Sequence, residues 1–192
     1  MELTPDLVRR TDAATRLALD RFADADWSRP ARDLEWSCWT TGVHLADDYF
    51  AYASQILAQP PSSYLPIEVV LGERATAAQL LDSISMCAEL LHAAATVAPP
   101  SSRGWHPAGT SDPGGFVAMG VVEGLVHTFD IAAAFGLEWS PPAELCVPVL
   151  DRLYPHAPDG DPADVLLWAS GRIALDGRPR LETWTWDSSV RD

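Results

Sequence analysis

A chain of 192 residues with 47% hydrophobic content suffices for one well-filled domain, with room for a small addition at one end. A formal net charge of −14, from 27 acidic and 13 basic residues, argues against nucleic acid and against an anionic membrane surface, both of which need clustered cations. All 13 basic residues are arginine, a pattern of GC-rich coding that also rules out a lysine nucleophile or Schiff base.

The three cysteines, Cys38, Cys87 and Cys146, are widely spaced and form no CxxC pair. They read as small apolar residues rather than a disulfide framework or a thiolate metal site. The N-terminus is charged and has no apolar signal core, and no apolar run is read as approaching the roughly 20 residues that span a bilayer. A cytoplasmic protein is expected.

Thr4-Pro5-Asp6 reads as a helix start, with Thr4 as a hydroxyl cap, and Leu7, Thr11, Ala14, Leu17, Ala18 and Phe22 then recur at helical spacing. This helix should run from Pro5 to Ala25 and break at Asp26–Pro30. A loop with Trp36 and Trp39 leads to a second helix from near Thr40, with Val43, Ala46, Phe50, Ala53 and Leu57 as its apolar stripe. Pro60-Pro61 ends it. A third helix follows a Thr76 cap and carries Leu80, Ile84, Cys87, Leu91 and Ala94 on one face.

A long Pro/Gly/Ser loop, of the kind that often carries function, then leads to a fourth helix from near Pro113 to a C′ residue at Gly136. Gly120 and Gly124, one turn apart in it, allow close packing. Beyond Gly136, PPAELCVPVLDRLYP and DPADVLLWASGR suggest short helices, and RIALDGRPRLETWTW reads as a β-hairpin about its Asp-Gly. The expected fold is mainly α: a four-helix bundle over residues 1–140, with a small extension of helix plus β-hairpin over 141–192 packed on it.

Glu123 and His127 stand at i and i+4, on one face of the fourth helix. The plain reading of such a pair is a surface ion pair. Val121, Val122, Leu125, Val126 and Phe129 around it argue for burial, where an unpaired carboxylate is costly and a metal ion removes the cost. A bundle can bring His44 of the second helix to the same centre. Two imidazoles and one carboxylate suit Zn²⁺ with an open fourth position, and also suit Ni²⁺, Fe²⁺ or Mn²⁺.

DLEWSCWTTGVHLADDYF and GFVAMGVVEGLVHTFDIAAAFGL resemble two signature segments of the mycothiol-dependent maleylpyruvate isomerase N-terminal family, within the DinB-like superfamily of metal-binding four-helix bundles. The resemblance extends to about Leu137. LLWASGRIALDGRPRLETWTW is similar to the C-terminal "tGR" segment of shorter actinobacterial relatives. The resemblance implies metal ligands at His44, Glu123 and His127. Two departures stand out: many relatives carry Arg shortly before the helical Glu, where this chain has Met119 and Gly120, and the segment after Pro141 is too short for the separate C-terminal domain of full isomerases. Maleylpyruvate isomerase activity itself is therefore not expected.

Three functional readings stay open. The resemblance favours a zinc-dependent S-transferase or thiol-assisted isomerase, with mycothiol as co-substrate and a small electrophile as substrate. A second reading is a hydrolase using metal-activated water. A third is a non-catalytic metal-binding or stress-response module, which a fourth protein ligand would favour; His106 is the candidate, against a plainer reading as an exposed loop residue. Asp48 and Asp130 are candidate catalytic groups, alongside Asp47. Asp130 is alternatively placed to orient the His127 ring, and Asp47 and Asp48 read equally well as a solvated helix face. Trp39, Trp105 and His106 are candidate substrate contacts. A homodimer is compatible with the sequence.

Overall fold

The computed structural model describes residues 2–190. Six helices follow in order: α1 Asp6–Leu19, α2 Cys38–Ala58, α3 Ala77–Val97, α4 Pro113–Ala134, α5 Ala143–Leu153 and α6 Pro162–Ala169. The protein is mainly α. Helix α1 packs against α3 and α4, and α2 packs against the same two helices. Helix α5 lies on α4 and touches α1, and α6 lies on α5.

Local chemistry sets the ends. Ser37 Oγ accepts from Thr40 N–H at the start of α2. Thr76 and Gln79 form a reciprocal capping box at α3, leaving two fewer unpaired donors. Asp112 Oδ1 accepts from Gly115 N–H, with Pro113 following at the first turn, so α4 begins where the loop's prolines stop. Gly136, at φ +74°, ends α4 in a left-handed turn that other residues adopt at a cost. Thr4 does not cap through its hydroxyl; its carbonyl accepts from Leu7 N–H instead.

Helix α4 is the axis of the core. Apolar residues lie all round it, and nearly all of them are buried, as expected of a helix surrounded by others. Phe116, Met119, Leu125 and Ile131 on it meet Tyr49 and Leu45 of α2, Leu80 and Leu91 of α3 and Leu7 of α1 in one continuous cluster. Each such side chain, fully buried, contributes about 1.5–3 kcal/mol.

Several expectations need correction. Helix α1 stops at Leu19 and tightens into a 3₁₀ turn over Asp20–Phe22, and Leu17 points to solvent. The buried stripe of α2 runs through Leu45, Tyr49, Tyr52 and Ile56; of the expected stripe Ala46 and Ala53 are buried and Val43 and Phe50 pack at its edge, whereas Leu57 is exposed. Helices α3 and α4 are in fact long and apolar enough to cross a membrane by length and composition; in α4, 83% of that apolar window is buried within the protein.

The β-hairpin does not form, and no strand occurs among the described residues. Leu175 and Arg178 exchange backbone hydrogen bonds of 3.0 and 2.7 Å around Asp176-Gly177, but the pairing stops there. Pro179 follows at once, and its ring holds φ at about −65°, well short of the extended value of an antiparallel strand. The chain beyond it is held by other groups: Arg180 Nε donates to Gly171 O, and Trp168 Nε1 to Pro179 O. Further on, Asp187 N–H donates to Leu153 O, and Ser111 Oγ to Ser188 O, which ties the tail to α5 and to the long loop before α4.

The close approach of α4 to its neighbours rests on small residues. A Cβ at Gly124 would overlap the Tyr49 hydroxyl and lie 2.5 Å from Thr11 Cγ2. Helix propensity alone favours Gly124→Ala by about 1 kcal/mol. Overpacking, at about 1–3 kcal/mol, is expected to reverse that sign, and urea denaturation should show a lower midpoint for this variant.

Candidate metal centre

Helices α2 and α4 each place two metal-ligating side chains one turn apart on the face they share. His44 and Asp48 come from α2, Glu123 and His127 from α4, and one ligand atom from each lies within 4.8 Å of all the others. His44 Nε2 is 3.1 Å from Asp48 Oδ2, and His127 Nε2 is 3.0 Å from Glu123 Oε2. The two imidazole rings meet edge to face, centroids 5.2 Å apart. His127 and Glu123 are 5% and 9% exposed, whereas the His44 side chain reaches 36%, so the α4 side of the centre is closed and the His44 side meets water.

Asp48 Oδ2 is buried without a hydrogen bond, even though His44 Nε2 is near it. The distance is short but the ring N–H does not point along it. A carboxylate oxygen in that state is costly, and a cation at the shared centre would satisfy it. Ligands on a tetrahedron around zinc stand about 3.4 Å apart for bonds of about 2.1 Å, and opposite ligands of a larger sphere about 4.2 Å. Donors within 4.8 Å of one another therefore leave room for one ion, which would be held by His44, Asp48, Glu123 and His127 after a small inward closure.

The electrostatics without an ion show the same strain. Burial and the neighbouring Glu123 charge raise the Asp48 carboxyl well above the usual range. Burial acts against the His127 imidazolium, but contacts with Asp130 and Glu123 outweigh it and lift its pKa to about 9. Burial would raise Glu123, yet contact with His127 and its charge hold it below the ordinary value. His44 is lowered by burial and by repulsion from His127. A proton on His127 takes the place that a cation would fill.

Asp130 is fully buried and lies behind His127, its Oδ2 3.5 Å from Nδ1. Arg172 occupies both Asp130 oxygens, so Asp130 is not placed as a base toward substrate. Trp36, unassigned in the sequence, stands edge to face against His44 at 4.8 Å. Asp47 Oδ1 accepts from Val69 N–H at 2.6 Å and anchors the α2–α3 loop rather than forming a solvated helix face.

His106 is not an exposed loop residue but 7% exposed, among Tyr52, Tyr64 and Trp186. Its Nδ1 accepts from Ala108 N–H, burial lowers it to about 4, and it is not in the four-residue group. The fourth member is Asp48. Trp105 packs edge to face on Tyr64, and Trp39 is a partly buried neighbour of the core; neither belongs to the group. His92 is buried against Asp6. Asp48 and Tyr64 also line a cavity of about 230 Å³ with Phe50 and Ser54.

Set against family models, curated proteins and solved structures, the chain finds no match.

Elemental analysis of protein purified without added metal should find close to one divalent ion per chain. His127→Ala and Asp48→Ala should each lose it on dialysis, whereas His92→Ala should retain it. Retention by Asp48→Ala would remove Asp48 from the ligand set.

Proposed function

We propose that the protein is a divalent-metal enzyme of the DinB-like kind, with His44, Asp48, Glu123 and His127 around the ion, acting on a small electrophile with a low-molecular-weight thiol such as mycothiol. The observation that carries the reading is the partly buried four-donor group with an orphaned Asp48 oxygen. Zinc fits the donors, as do iron, manganese and nickel. A bound divalent cation would hold a thiol as its thiolate near neutral pH.

The protein's own thiols do not serve as the nucleophile. Cys38, Cys87 and Cys146 are fully buried, and burial raises the first two to about 11 and the third to about 12. With no lysine in the chain and no accessible thiol, this reading takes its nucleophile from an external thiol. Asp48 is the one member of the group that also lines the 230 Å³ cavity, which would let a small molecule approach the centre from that side. In this reading His127 and Glu123 would bind from α4, with Asp130 3.5 Å behind the His127 ring.

One observation favours a second reading. Asp48 has a raised pKa and faces the cavity, which also suits a base next to water in a hydrolase. The two readings separate by experiment. Calorimetry should show mycothiol binding that disappears when the metal is removed with a chelator. Thiol binding that persists without metal contradicts the proposal, and hydrolysis of an ester or amide panel in the absence of thiol selects the second reading.

A further inference from the structure

The guanidinium of Arg172 is 7% exposed and its partner Asp130 is wholly buried. Arg172 Nη2 donates to Asp130 Oδ2 at 2.9 Å and Nε at 3.2 Å, while Nη1 donates to Ser170 O at 2.7 Å. Asp130 Oδ2 in turn lies 3.5 Å from His127 Nδ1, a buried ring nitrogen that has no other partner and makes no hydrogen bond at this distance. Polar groups are thus aligned from the C-terminal segment, through α4, to one of the four candidate ligands, with a small closure needed at the last step.

The segment is shaped for this purpose. Gly171 sits at φ +72°, and a Cβ there would lie 2.7 Å from Trp184 Cδ1, so glycine lets the chain turn Arg172 inward under that indole. Trp184 covers the guanidinium at 5.7 Å, and the Arg172 carbonyl accepts from Arg32 Nη1 at 2.7 Å. Burying such a pair yields little net stability, because desolvation of both charges offsets their attraction. Stability alone does not account for it.

We infer that Arg172 is a positioning residue for the metal centre: it fixes Asp130, which holds the His127 ring with Nε2 directed at the ion. The C-terminal segment is then part of the site rather than an appendage to the bundle. The inference rests on reading the four-residue group as a metal centre. Partners of this kind behind a ligating histidine typically change metal affinity by about 10–100-fold.

The test is a chelator-competition titration of the full chain with Zn²⁺ and Co²⁺. Arg172→Gln should weaken binding by about 10–100-fold. Arg172→Lys, which keeps the charge but not the two-pronged contact, should fall between the variant and the wild type. Arg152→Gln removes another arginine–aspartate pair, between α5 and the Asp112 cap of α4, and should leave affinity unchanged. In Co²⁺-loaded wild type the His127 Nδ1 proton should give a metal-shifted resonance slow to exchange with water, and Arg172→Gln should lose it. If Arg172→Gln fails to fold, Asp130→Asn is measured in its place with the same expectations. Wild-type affinity in a folded Arg172→Gln, or an equal loss in Arg152→Gln, overturns the inference. Absence of metal binding by the wild type overturns the metal reading itself.

Discussion

The structure turns on one electrostatic constraint. Two acidic and two imidazole side chains, from α2 and α4, are confined to one small volume beside the most buried helix of the protein. Like charges in such a place cannot all stay ionised without a counter-charge. Without an ion, contacts with Asp130 and Glu123 raise His127, burial and Glu123 raise Asp48, and one Asp48 oxygen has no hydrogen bond. A divalent cation between α2 and α4 would offset these charges and satisfy that oxygen, which is what supports the metal reading proposed above.

The rest of the architecture serves to hold that constraint in place. Caps at Ser37 and Asp112 set the starts of α2 and α4. Gly120 and Gly124 let α4 come close to Leu91, Tyr49 and Thr11. A buried hydrogen bond of 2.7 Å between Thr15 and Thr128 locks α1 against α4 near the same level. Behind His127, Asp130 and Arg172 complete a polar seam through otherwise apolar packing. The long loop before α4 is likewise tied down: Gly104 and Ser111 pair with each other, and Trp105 N–H donates to Pro60 O.

What was legible in the sequence divides by range. Helical periodicity, cap residues and Pro/Gly punctuation are local, and they located α2, α3 and α4 to within a few residues. Glu123 and His127 were legible as a pair because i,i+4 spacing is also local. His44 needed the bundle and the family resemblance. Asp48 has a local signal too: His44-x-x-x-Asp48 mirrors Glu123-x-x-x-His127, yet the aspartate passed for a catalytic group or a solvated face. Arg172 had no such signal, since its pairing with Asp130 spans 42 residues. The hairpin reading failed because turn chemistry at Asp176-Gly177 was weighed without Pro179 beside it. The omission of Tyr49 and Tyr52 from the α2 stripe has a similar cause, for both are amphipathic and their burial depends on α4.

The most direct measurement is a crystal structure of the metal-loaded protein, with anomalous diffraction collected at the metal's absorption edge. The account predicts one strong peak between α2 and α4, at about 2.0–2.2 Å from His44 Nε2 and His127 Nε2 and from one oxygen each of Asp48 and Glu123. A saturated protein with no peak there, or with its ion held by other residues such as His106 or His92, would contradict it.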